Sequence, residues 1–162
     1  MIRASASPAA GAFFLALCLG IIWYPGAAHG AVIDDSASQA LEPGVAMRWK
    51  NSVPAHGPGG SDNQMAGTTH ILVRLNVLPW LHRKVRIYLN FPSQPPGPMH
   101  MSWSTQGRLA AGELPSGNRQ LIYAGPILQP MLEELLVIQF SVDGRLLDHS
   151  VSVNYYFEMD GN

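Results

Sequence analysis

Apolar and polar residues alternate along several short runs of this chain. Val85, Ile87, Leu89 and Phe91 alternate with Lys84, Arg86, Tyr88 and Asn90. Successive side chains of a strand point to opposite faces, so this is the pattern of a half-buried strand. Ile71, Val73, Leu75 and Val77 do the same against His70, Arg74 and Asn76, with Leu72 breaking the polar face once. Met99, Met101 and Trp103 alternate with His100, Ser102 and Ser104, and a short strand is expected over Gln120–Ala124. Gly44–Lys50 reads as a first strand.

One segment admits two periods. Met131, Leu132, Leu135, Leu136 and Gln139 have helical spacing, while Leu136, Ile138, Phe140 and Val142 alternate. Asp143-Gly144 follows as a hairpin turn signal, and Val151, Val153, Tyr155, Phe157 and Met159 then alternate with Ser150, Ser152, Asn154, Tyr156 and Glu158. The turn decides for strands, and predicts an antiparallel hairpin closed at Asp143-Gly144.

Between the strands lie turn formers. Residues 51–67 hold Pro54, Gly57, Pro58, Gly59, Gly60 and Asn63 and read as a loop; Pro92–Pro98 reads as a connection. Gly107, Gly112, Pro115 and Gly117 punctuate the next stretch. About seven strands with such connections predict an all-β fold, an antiparallel β-sandwich of immunoglobulin-like type over residues 44–162. The Leu89 face is expected to pack opposite Val151, Val153, Tyr155 and Phe157. No internal repeat is visible.

Composition adds to this picture. The 162 residues are 47% hydrophobic, enough for a core, while 13% charged is low for a soluble domain. Gly 16 and Pro 13 favour turns over long helices. A formal net charge of -1 excludes a strongly basic nucleic-acid binder.

Residues 1–30 have a different character. Arg3 is the only charge before Asp34, and Ala9–Tyr24 is apolar or small, broken by Pro25-Gly26. A basic start, a short apolar run and a small-residue end make a secretory signal peptide, and sixteen residues are short for a membrane span of about 20. Cleavage after Gly30 would expose Ala31, and cleavage after Ala28 would expose His29. The single cysteine, Cys18, lies inside this leader. A mature chain would then hold no thiol, excluding disulfides, cysteine nucleophiles and cysteine-ligated zinc. Its localisation would be exported, in the periplasm or at the cell surface. Residues 31–43 are polar and small up to Pro43 and read as a flexible extension before the domain.

Candidate chemistry is sparse. Pro98-Met99-His100-Met101 sets thioethers beside an imidazole, donors that suit copper, and His29 as a new N-terminus would add an amine and a ring nitrogen. On a strand, however, Met99 and Met101 share one face and His100 the other, which favours core packing for the methionines. Ser61 follows Gly59-Gly60 without completing a nucleophile elbow. Asp148, His149 and Ser150 are strand neighbours that point to alternate faces and form no triad. Glu133-Glu134 and Asp34-Asp35 are adjacent carboxylates and read as solvated, since glycoside chemistry needs two across a cleft. His82, Arg83, Lys84 and Arg86 beside Trp80 form a small basic cluster that reads as a solvated strand end. Ser102–Leu109 and Ser116–Pro126 read as strand ends with glycine turns.

These patterns predict a non-enzymatic exported protein acting through protein contacts, in pilus or cell-surface assembly. Its mechanism would be β-strand addition or self-association, offered by residues 31–43 or by Val151–Met159. Periplasmic copper binding at His29, Met99, His100 and Met101 is the alternative.

Overall fold

The computed structural model describes residues 30–51, 63–95, 97–147 and 150–161. The alternating runs at 71–76, 84–91 and 99–104 are strands, while the run from Ser150 becomes strand only at Tyr156. The strands are β1 (Ala31–Val32), β2 (Gln39–Ala40), β3 (Arg48–Trp49), β4 (Gln64–Asn76), β5 (Lys84–Phe91), β6 (Met99–Ser104), β7 (Gly112–Pro115), β8 (Asn118–Pro126), β9 (Met131–Asp143) and β10 (Tyr156–Gly161). They form two antiparallel sheets. One has the order β1-β10-β5-β8; the other runs β2-β4-β9-β6-β7, with β3 also paired to β4. The architecture is all-β and β-sandwich-like.

The inward faces supply one core. Val85, Ile87, Leu89 and Phe91 of β5 are buried, with Phe157 and Met159 of β10 beside them. From the other sheet come Ile71, Val73 and Leu75 of β4, and Leu136, Ile138, Phe140 and Val142 of β9. Phe91 and Phe140 meet across the sheets, their ring centroids 6.2 Å apart. The sheets are joined by these apolar faces.

Several expectations change. Met131–Asp143 is strand throughout, so the period of two prevails over helical spacing. Asp143-Gly144 does not close a hairpin. The Asp143 carboxylate accepts the Arg145 N–H at 3.0 Å and caps a 3-10 turn over Gly144–Leu146. β9 and β10 then lie in different sheets. Leu89 and Phe157 are therefore lateral register partners, not residues facing across the core. The face opposite β5 belongs to β9. The final strand begins at Tyr156, and 150–155 belong to no ladder.

The lead-in is part of the fold. Ala31 pairs with Met159, the Ile33 N–H donates to the Phe157 carbonyl at 2.9 Å, and Ile33 is 2% exposed. Asp34 bridges to Asn76 of the other sheet, and Gln39 pairs with Leu72. Residues 31–40 thus stitch the edges of both sheets, where a free extension was expected. Between Gly44 and Lys50 only Arg48–Trp49 is strand, and Gln64–Gly67, expected as loop, opens β4.

Candidate functional site

Past Phe91, β5 ends and the chain before Tyr156 has no strand beside it. On the other sheet, residues 41–47 pass along β4 without forming a ladder. Between these two segments lies a cleft of about 920 Å³. Its walls are Val45, Met47, Met65, Met99 and Phe140 on one side, with Val151, Val153 and Tyr155 on the other. Exposure alternates from Val151 to Tyr155, so the period of two continues beyond the ladder. The same residues that mark a strand in the sequence here line an opening.

Local chemistry holds each lip. The Glu42 carboxylate accepts the His70 N–H at 2.8 Å and the Thr69 hydroxyl at 2.9 Å, and lies 2.8 Å from His70 Nδ1. The backbone donor of His70 comes first, then the two side-chain bonds, in pulling the Glu42 pKa down to about 2. Gly67 lets this lip lie close. A Cβ there would stand 2.6 Å from Val45 Cγ1 and 2.8 Å from the Ala46 carbonyl oxygen. On the other lip, burial first and the Asp35 charge second push the Tyr155 hydroxyl up to about 12. The Gln94 side chain fastens Asn154, donating from Nε2 to its carbonyl at 2.8 Å and accepting its N–H at 3.4 Å. A side-chain amide there replaces the strand neighbour that β5 no longer supplies.

Glu42 is the one charged residue among the cleft walls, and its charge is engaged by His70 and Thr69. The interior offers thioethers, aliphatic groups and two aromatic rings. Such a surface accepts apolar side chains.

The residues singled out in the sequence are distributed elsewhere. Met99 and Met101 are buried, at 3% and 0% exposure, while His100 is on the outer face. Met99 reaches the cleft; Met101 packs within the core. His29, Ser61, Asp148 and His149 lie outside the described residues. Among the described residues no three His, Cys, Asp or Glu side chains converge. His82, Arg83, Lys84 and Arg86 are exposed, and Trp80 packs on the core.

Glu134 differs most from expectation. Glu133 is exposed and pairs with Arg74 at 2.6 Å, as a solvated carboxylate would. Glu134 is 8% exposed and points inward. Its carboxylate accepts the N–H groups of Gly107, Arg108 and Leu109 at 3.0, 2.7 and 3.0 Å. It anchors the loop between β6 and β7.

Sequence reading missed Val45, Met47, Met65 and Glu42 as site residues. Pro43–Met47 and Met65 fell in a lead-in, a first strand and a loop whose common neighbour is set only by the pairing of β3 with β4. Compared with family models, curated proteins and solved structures, the chain matches none.

Proposed function

We propose that this chain is an exported, non-enzymatic protein that receives an apolar β-strand of a partner protein in the cleft. The carrying observation is Ser150–Tyr155: strand-like alternation, apolar groups on the cleft side, and no ladder partner. An incoming strand would pair along this edge and set alternate side chains against Met47, Met65 and Phe140. The near absence of charge on the walls calls for an uncharged, apolar segment. Of the segments first read as donors, 31–43 and Val151–Met159, residues 31–32, 39–40 and 156–159 are paired within the chain while 151–155 are not, so the reading here is of an acceptor. Export rests on the leader-like residues 1–30, cut after Gly30 or Ala28, and an immunoglobulin-like arrangement of the sheets accompanies it. Pilus or surface assembly is the setting that such strand exchange suits.

A photo-crosslinking amino acid at Val151, with a control at the outward-facing Arg86, tests this in the native host. Adducts from position 151 that map by mass spectrometry to an apolar partner segment support it. Adducts from position 86 alone, or polar adduct sites at 151, overturn it.

Copper is a second reading, favoured by Met47, Met65 and Met99 lining one cleft. Three thioethers suit Cu(I). Competition with bicinchoninate tests it: withdrawal of Cu(I) by the mature chain, lost in Met47→Leu with Met65→Leu, supports metal binding, and no withdrawal excludes it.

A further inference from the structure

The edge where β1 meets β10 carries a carboxylate oxygen without a donor. Ala31 is the register partner of Met159 and Val32 of Glu158, which brings Gly30 beside Asp160 at the end of this ladder. Asp160 is half-buried, and its Oδ1 is enclosed and has no hydrogen-bond partner. Enclosing a charged oxygen in this way is unfavourable, so native structures rarely do it without a reason. The nearby cations do not supply the donor. Arg86, the register partner of Asp160 on β5, is exposed and gives Oδ1 no hydrogen bond. Arg119 reaches Glu158 instead, at 3.4 Å.

Gly30 lies directly against this oxygen. A Cβ on Gly30 would stand 2.8 Å from Asp160 Oδ1, and 3.3 Å from both Glu158 Cβ and the Met159 carbonyl oxygen. The Ala31 nitrogen is two bonds from the Gly30 Cα. As an amide it has one proton and no charge. As a free α-amine at neutral pH it would carry a positive charge and three donors.

We infer that the leader is cut between Gly30 and Ala31, and that the new Ala31 ammonium becomes the partner of Asp160. The inference rests on the proposed export of the chain. In the cut, water adds across the Gly30–Ala31 amide and the C–N bond breaks. The water oxygen joins the Gly30 carbonyl carbon as a carboxylate, and both water protons end on the Ala31 nitrogen. Loss of Gly30 uncovers Oδ1 on the side of that nitrogen, so a cation replaces the residue that had covered it. Cleavage after Ala28 would keep Gly30 against Oδ1 and place the charge two residues earlier, on His29. The ion pair forms only once the leader has gone. Processing thereby fastens β1, and the buried Ile33 that follows it, to β10.

The first test reads the N-terminus of the exported wild-type protein by intact mass and sequencing. A start at Ala31 is expected. A start at His29 would overturn the inference and leave export standing, whereas a chain kept uncut would overturn both. The second test is a set of four chains released from a cleavable fusion, beginning at Ala31 or at His29, each with and without Asp160→Asn. The substitution should lower the melting temperature of the Ala31 chain by about 3 °C or more, and that of the His29 chain much less. Equal losses in the two chains would mean that Asp160 has no dealings with the ammonium, and would overturn the pairing. Crosslinking at Val151 is independent of every outcome here.

Discussion

Glu134 is the register partner of Val73, so a carboxylate occupies an inward position directly beside a fully buried valine. Binary patterning alone would favour leucine there. Three backbone donors from Gly107–Leu109 reverse that preference, because removing their acceptor leaves them unpaired. Glu134→Leu should therefore destabilise the protein by about 2–4 kcal/mol despite its greater hydrophobicity. Glu134→Gln, which keeps an acceptor but loses the charge, should cost less. Urea unfolding of both variants checks the order, and faster amide exchange at 107–109 should accompany it.

Leu89 is 1% exposed between Phe157 and Gln120 in its sheet. Leu89→Ala should cost about 2–5 kcal/mol. Leu89→Asp should abolish folding, since the core offers the new carboxylate no partner. Circular dichroism in the near ultraviolet checks this; a native spectrum for Leu89→Asp would contradict the placement of β5.

Deletion of residues 31–42 should weaken the fold as well as any partner capture. Ile33 is in the core, and β1 and β2 cover backbone groups of β10 and β4. Ile33→Ala alone should cost about 2–4 kcal/mol, measured by thermal or chemical unfolding. A full-strength fold without these residues would return them to the role of a tether.

Two groups at the cleft predict opposite pH dependence. Glu42 titrates near 2 in the fold, below its ordinary value of 4.5. Its contribution is present above 4.5 and is lost as pH falls through about 2. Tyr155 is raised from 10 to about 12, so its contribution is full below 10 and is lost as pH rises through about 12. The His70 amide resonance should follow the Glu42 titration with a midpoint near 2, and Glu42→Gln should remove that transition. A midpoint near 4.5 would mean the lip is not held as described.

Gln94→Ala should free Asn154 and loosen the second lip. Hydrogen exchange at Asn154 should accelerate while exchange in β5 stays unchanged, because both bonds are made by the Gln94 side chain. Unchanged exchange at Asn154 would show that the cleft edge has other support.

Strand identity was legible in the alternation of β4, β5, β6 and β9, whereas the ten-residue alternation from Ser150 is strand only from Tyr156, because the earlier residues have no neighbour to pair with. Pairing was less so. Asp143-Gly144 has the composition of a hairpin turn, but Arg145 captures the Asp143 carboxylate and turns the chain out of its sheet. Short β1, β2 and β3 leave almost no periodic signal, since two residues cannot display a period of two. The cleft arises where a neighbouring strand stops, which no local pattern records. The carboxylate of Glu134 was misread because its partners are backbone N–H groups some twenty-five positions away.

The position of β10 between β1 and β5 has a consequence for biogenesis. Its sheet recruits a strand from residues 31–32, another from 84–91 and a third from 156–161. A chain that is made from its N-terminus holds β1 and β5 long before β10 emerges. During that interval Ile33 and the Leu89 face lack their lateral partner and remain open to solvent. Closure of this sheet is therefore a late step, dominated by long loops, and high contact order of this kind slows folding. A ribosome-stalled intermediate that ends before Tyr156 should be sensitive to protease, becoming resistant only once the last strand is released.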